Sequence, residues 1–347
     1  MRRLLVIALA VLVLAPVAQA GPPLASRRAV PADDISKLGA TEWWHLLLFD
    51  PGSRSYVRVV FMSRPWVDFH LDVMRPGQPT MDIAGGAMGI VPQASPGVAM
   101  VGTSPPPGQA PPRASLAYVG GRYVVDASSG VSSAHLEIVP KVVGPTVGPW
   151  HLGPLQVTWN PDTFRPGTRM WSVPVAAGTA SGWLEVNGTR VTVSGWRAYH
   201  DHTWGDYSLA AASWYHSDFA VVSPRPGEAW IVNGLQPGDG GYRTEPDDRA
   251  WQGVLVHAAG KRVVTCQARV ARSAWIRATN SGDGWIYYLP NQVRASCARR
   301  TGSFAFRPDG GFRGVGGFGV AQEVGSSAPT PGGTGWIAHA MPPLPNT

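Results

Sequence analysis

Charge is scarce in this chain: Asp, Glu, Lys and Arg make up only 15% of its 347 residues. That is too little to clothe a coiled coil, and no Gly-X-Y period supports a collagen-like rod. The chain has no G-x-S-x-G, no H-E-x-x-H and no C-x-x-C, so serine hydrolase, zincin and thioredoxin-like readings lack their signatures. No glycine-rich loop leads into a helical pattern, which removes the nucleotide-binding folds. Windows of helical periodicity are nearly absent. What is abundant is turn and core material. Gly (42) and Pro (33) together make about a fifth of the chain, against a usual share of roughly 12%. With 44% hydrophobic residues and 15 Trp, the chain has far more core-forming material than a disordered polymer.

The one long apolar run, Leu4 to Leu14, follows Met1-Arg2-Arg3 and precedes Ala18-Gln19-Ala20. These are the three parts of a secretory signal, with cleavage expected after Ala20. Eleven apolar residues are short for a bilayer span, so a retained anchor is the weaker alternative. The net charge of +7 falls to about +5 without that segment, and it is scattered. Nucleic acid is therefore not an indicated partner. Export places Cys266 and Cys297 in an oxidising compartment, where a bridge persists; the alternative is a pair of small buried thiols.

The mature chain reads as short alternating runs between turn signals. Residues 43–49 and 56–63 flank Asp50-Pro51-Gly52-Ser53, and residues 116–119 and 123–126 flank Gly120-Gly121. Asn187-Gly188 separates 183–186 from 190–193, and 219–223 is followed by a turn and then 229–233. Asn-Gly supplies the positive φ angles of a tight hairpin. Such spacing predicts an all-β fold of antiparallel sandwiches or barrels. The Pro- and Gly-rich stretch 92–112 reads as a linker or as an interruption of one sheet. The domain division is placed near residue 180, giving units 21–180 and 181–347. The tail after Val324 reads as loop, with Trp336 and His339 tucked back.

Two clusters carry chemistry. In Gly195-Trp196-Arg197-Ala198-Tyr199-His200-Asp201-His202-Thr203-Trp204-Gly205, an extended backbone puts His200, His202 and Trp204 on one face and Tyr199, Asp201 and Thr203 on the other. Buried imidazole and carboxylate groups are costly unless paired, so this knot is structural or functional rather than incidental. A metal would need a third ligand besides the His-x-His pair, from His45, His70 or His216. In Glu42-Trp43-Trp44-His45 the two Trp point to opposite faces; Glu42 is either a strand-end carboxylate in water or, entering an apolar cavity, an acid whose pKa is raised.

At these clusters the sequence resembles the carotenoid 1,2-hydratase (hydroxyneurosporene synthase) and AttH-like group. Glu42-Trp43-Trp44-His45 is similar to its Glu-Trp-Trp-Tyr motif. Trp171-Ser172-Val173-Pro174, Gly182 to Gly188 and the Tyr-His-Asp-His-x-Trp-Gly signature at Tyr199 to Gly205 follow in that group's order, over roughly residues 40 to 235. The resemblance implies two packed lipocalin-like antiparallel β-barrels with an apolar pocket for a polyene, isoprenoid or lipid-like substrate. It also implies functional roles for His202 and Trp204. The group's Tyr-x-Asp pair is missing from the comparable stretch here, Trp230-Ile231-Val232-Asn233.

Hydration of an isolated double bond needs a proton donor in a dry cavity, an electron-rich surface facing the developing cation, and one positioned water. His202, paired to Asp201 or His200, is expected to give or relay the proton, and Trp204 to face the cation. Glu42, Trp44, Tyr199, Tyr215 and Trp230 are the candidates for substrate contact. Without a second carboxylate the pocket would still cyclise or isomerise a polyene by positioning. The expected protein is thus a secreted hydratase or cyclase with a hydrophobic small-molecule substrate, no cofactor and peripheral membrane contact at most. The competing readings are a secreted lipid binder without catalysis and a metal-dependent hydrolase.

Overall fold

The computed structural model describes residues 25–37, 41–64, 67–75, 78, 80–84, 88–105, 107–152, 167–205, 215–237, 251–279, 286–297, 300–305, 313–315, 320–327 and 333–340. The proposed signal segment lies outside them. Among these residues every regular element is a strand apart from one 3-10 turn, Pro31–Asp34. The all-β expectation is met by two curled antiparallel sheets forming half-barrels.

The first sheet runs from Met81–Ala84 through Asp68–Met74, Ser55–Arg64, Thr41–Asp50, Thr189–Gly205, Gly167–Val186, Ser132–Val142, Arg122–Ser129, Arg113–Val119 and Gly97–Gly102 to Met88–Val91. Stretch 92–112 is therefore neither a linker nor a break: it carries Gly97–Gly102, a strand of this sheet paired on both sides. The second sheet runs from Arg300–Ala305 through Ile286–Cys297, Arg262–Thr279, Trp251–Ala259, Glu228–Pro237, Tyr215–Ser223, Gly333–Ala340 and Val320–Ser327 to Arg313–Val315.

Two sequence expectations need correction. Residue 180 lies inside the strand Gly167–Val186, which pairs with Thr189–Gly205 along its whole length. Asn187 (φ 48°) and Gly188 (φ 78°) make the tight hairpin that keeps both strands in the first sheet. The change of sheet comes between Gly205 and Tyr215. The tail is not loop: Gly333–Ala340 pairs with Tyr215–Ser223 and with Val320–Ser327, so strand pairing extends the second sheet through it.

Three apolar clusters explain the sequence pattern. Trp44, Leu46, Leu48, Val57, Val59 and Phe61 fill the inside of the first sheet. Leu47, Phe49, Tyr56, Trp171 and Tyr199 point the other way and pack with Val221, Ile231, Val254 and Val256 of the second sheet. Val222, Val232, Leu255, Val270 and Val293 line the far side of the second sheet. Strand Thr41–Asp50 is thus buried on both faces, which is why it reads as a continuous apolar run rather than a clean alternation. Gly182 is required where the hairpin crosses Ser132–Val142: a Cβ there would sit 2.1 Å from the His135 carbonyl oxygen. Cys266 and Cys297 are disulfide-bonded across the second sheet.

Candidate active site

The strand Thr189–Gly205 lies next to Thr41–Asp50, with His202 opposite Trp44 and Asp201 opposite His45. The expected alternation holds, and it places two different polar clusters back to back.

On the inner face His200 and His202 are fully buried. A carbonyl oxygen only accepts, so each Nδ1 carries a proton. His200 donates to the His45 carbonyl at 3.1 Å, and His202 to the Asp33 carbonyl at 2.7 Å. The other ring nitrogens meet carboxylates: His200 Nε2 lies 3.0 Å from Asp34 Oδ2, and His202 Nε2 lies 3.0 Å from Glu42 Oε1. The 3-10 turn supplies Asp33 and Asp34, inserting a polar plug into the first half-barrel. Trp44 donates its indole N–H to the Asp34 carbonyl at 3.1 Å and stacks on His202 at 4.4 Å. Trp204 leans on the same ring at 4.8 Å. Tyr123 meets His200 edge-on at 4.8 Å and directs its hydroxyl at Asp34.

Burial pushes the His200 imidazole towards neutrality, but the Asp34 carboxylate outweighs it and raises the pKa. For Asp34 itself burial pushes up, while His200, His202 and Tyr123 hold it below its ordinary value. The two directions agree on an imidazolium–carboxylate pair. Glu42 departs from expectation. Burial pushes its carboxyl up, yet His202, the Lys37 N–H and Ser63 together bring it below the usual carboxylate value. Ser36 and Ser63 hydroxyls both donate to Oε2 at 2.7 Å. With that many donors Glu42 is an anion rather than an acid.

On the opposite face Asp201 is 3% exposed. Its Oδ2 accepts from the Tyr199 hydroxyl at 2.6 Å and the Trp171 indole at 3.2 Å. Its Oδ1 has no hydrogen-bond partner. Burial raises the Asp201 pKa despite opposition from Tyr199, Trp171, His200 and Arg169. When Asp201 is protonated, Oδ2 with its two donors keeps the carbonyl role, so the acid proton belongs on Oδ1, the unmet atom. Around it, buried His45 has its pKa lowered to about 3 by burial, Arg58 and His200. Arg58, brought down to about 9 by burial, is paired with Asp72 at 2.7 Å. Trp43, the outward member of the Trp pair, lies beneath the Arg169 guanidinium at 5.8 Å.

The structure therefore separates residues that the sequence joined. His202 is paired to neither Asp201 nor His200, because adjacent positions on a strand face opposite ways and each imidazole already holds its own carboxylate. Trp230 stacks on His257 at 3.9 Å and packs against the second sheet's far cluster, away from both sites. The Tyr215 side chain lies outside the described residues. Among the described residues no group of three or more His, Cys, Asp or Glu is placed to hold a metal, and the His45 ring lies on the Asp201 face rather than beside the His-x-His pair. Asp34, Tyr123 and Arg169 carry no local signal in the sequence, and Trp171 stands in a motif that marks the resemblance but gives it no role at the site.

No family model matches the chain, and no curated protein matches its sequence. Solved structures share its architecture, two of them as follows. Kievitone hydratase from Nectria haematococca is 10% identical, covers 93% of this chain and 94% of its own, and superposes with a TM-score of 0.53. A putative AttH from Nitrosomonas europaea is 11% identical, covers 94% and 99%, and also gives 0.53. The motif resemblance thus holds at the level of the fold.

Proposed function

We propose that the chain is an enzyme of hydratase or cyclase type, in which Asp201 is the acid for a hydrophobic substrate bound between the two sheets. The observation that carries this reading is the Asp201 Oδ1, buried without a partner on a carboxyl whose pKa is raised. A neutral acid in a dry, apolar layer is what proton transfer to an unactivated double bond requires. The Trp171 indole beside the acid offers an electron-rich face to a developing cation, and Val221, Ile231 and Val254 make the surroundings greasy. His200 and His202 are fully buried with both ring nitrogens paired, and they fasten the strand that presents Asp201. Likeness in fold to a protein named as a hydratase supports the same reaction class. A polyene or isoprenoid substrate and export remain part of the proposal, export being supported by the Cys266–Cys297 bridge.

The test is incubation of the purified chain with a lipid extract in water labelled with heavy oxygen, followed by mass spectrometry. Hydration leaves a product carrying the label, cyclisation one isomeric with its precursor, and Asp201→Asn yields neither. Lipids retained unchanged by the wild type would overturn the enzyme reading in favour of a binding protein.

A further inference from the structure

Asp201 Oδ1 is not the only unmet polar atom between the sheets. Asn233 is 2% exposed, and its Oδ1 has no hydrogen-bond partner. It lies opposite Val254 on the neighbouring strand and two residues from Ile231. Both of those side chains belong to the inter-sheet cluster, so Asn233 faces the first sheet as Asp201 faces the second.

Their level along the strands follows from one fixed crossing. The Arg197 guanidinium donates to the Ser223 carbonyl, tying the two sheets at that point. Asp201 is four residues beyond Arg197 on its strand. Phe219, the register partner of Asn233, is four residues from Ser223 on its own. Gly205 and Tyr215 are the ends joined by the connection between those strands, so both counts run in the same direction. Each strand rises by about 3.3 Å per residue, which brings Asp201 and Asn233 to one level of the layer.

We infer that Asp201 and Asn233 together hold one guest oxygen, a water or a substrate hydroxyl, which accepts from the Asp201 O–H and donates to the Asn233 carbonyl. A hydroxyl is the smallest group that offers one acceptor and one donor to these two atoms. Buried polar atoms are rarely left unmet, and a single molecule satisfies both. This inference rests on Asp201 being the acid and narrows the reaction to hydration and its reverse. For an alcohol guest, the Asp201 proton passes to the hydroxyl oxygen, the C–O bond breaks with its electron pair leaving on water, and the resulting carboxylate removes a proton from the adjacent carbon. Alkene, water and the original acid result; hydration runs the same steps backwards, and no further reagent enters. Asn233 is the positioning residue that keeps the oxygen on the acid.

A high-resolution crystal structure of the full chain without ligand, combined with carbon-13 NMR titration of its aspartate carboxyls, tests this. Asp201→Asn identifies the Asp201 signal. The expected density is one oxygen within about 3 Å of both Oδ1 atoms. Asn233→Leu should expel it, and Asp201 then titrates about one pH unit higher, because a water can turn to donate to the ionised carboxylate. Asn233→Ala, which leaves more room for folding, should lose the ordered oxygen and shift the titration in the same direction. Direct pairing of Asp201 with Asn233, side chains that face apart, or a titration indifferent to both variants overturns the inference while leaving Asp201 as an acid. An Asp201 that titrates in the ordinary carboxylate range in the wild type overturns the proposed function itself.

Discussion

The two faces of the strand Thr189–Gly205 spend similar residues on opposite ends. Inside the first half-barrel both nitrogens of His200 and of His202 have partners, and their carboxylates are held as anions by matching donors. Between the sheets, one residue away, Asp201 has two donors on one oxygen and none on the other. Asp34 Oδ1 on the inner face also lacks a hydrogen-bond partner, but it belongs to a carboxylate whose charge His200 and His202 balance. Burial instead raises the pKa of Asp201 and leaves its unmet oxygen as a place where something else belongs. Dense polar sequence thus divides by face into scaffold and site, and the histidines fall on the scaffold side.

The sharpest way to break this comparison is to unfasten the inner face. Asp34→Ala leaves His200 in the core without its counter-ion, and breaking a buried pair from one side costs about 3 to 5 kcal/mol. Denaturant titration of the variant should show that loss. The double change Asp34→Leu with His200→Leu, which removes both charges together, should cost much less than the single one. Equal costs would mean that the plug contributes packing alone.

Next in size is a contrast between histidines on the two faces. The folded-state pKa of His200 is raised, so its contribution is complete below an unfolded value near 6.5 and is lost as pH rises through the folded one. His45 is the reverse. Its pKa falls to about 3 in the folded chain, so stability drops as pH falls below about 6.5, by about 2 kcal/mol at pH 5. His45→Phe should therefore flatten the acid limb of the stability profile, and His200→Gln the alkaline limb. A single limb responding to both variants would show that the coupling between His200 and His45 outweighs the surroundings of each ring.

Much of this architecture was legible in the sequence. The hairpins at Asp50-Pro51-Gly52-Ser53 and Asn187-Gly188 form where the turn residues require them, and strand alternation assigned His200, His202 and Asp201 to their faces. What stayed hidden depends on contacts between distant segments. Whether a buried Glu becomes an acid or an anion is decided by its donors, and those of Glu42 come from Ser36, Lys37, Ser63 and His202. Asp201 rather than His202 is proposed as the acid because burial raises its pKa against Tyr199 and Trp171, which hold only one of its oxygens, and Trp171 lies thirty residues upstream. Gly205 closes the first sheet instead of a position near 180 because strand pairing, not local composition, determines which sheet a hairpin joins.

The smallest effect on stability belongs to the residue with the largest expected effect on function. In Asp201→Asn the amide oxygen accepts from Tyr199 and Trp171 as the acid's Oδ2 does, so near pH 4 the variant should lie within about 1 kcal/mol of the wild type. The raised pKa of Asp201 gives the difference a sign. A group whose folded-state pKa lies above its unfolded value stabilises fully below the unfolded value, near 3.9, and loses that contribution as pH rises through the folded value. The asparagine variant has no charge to bury, so it should gain on the wild type steadily from acid towards neutral and alkaline pH while product formation stays absent throughout. A stability difference that does not change with pH would mean that Asp201 ionises as freely between the sheets as it does in water, and the outer face would then be scaffold like the inner one.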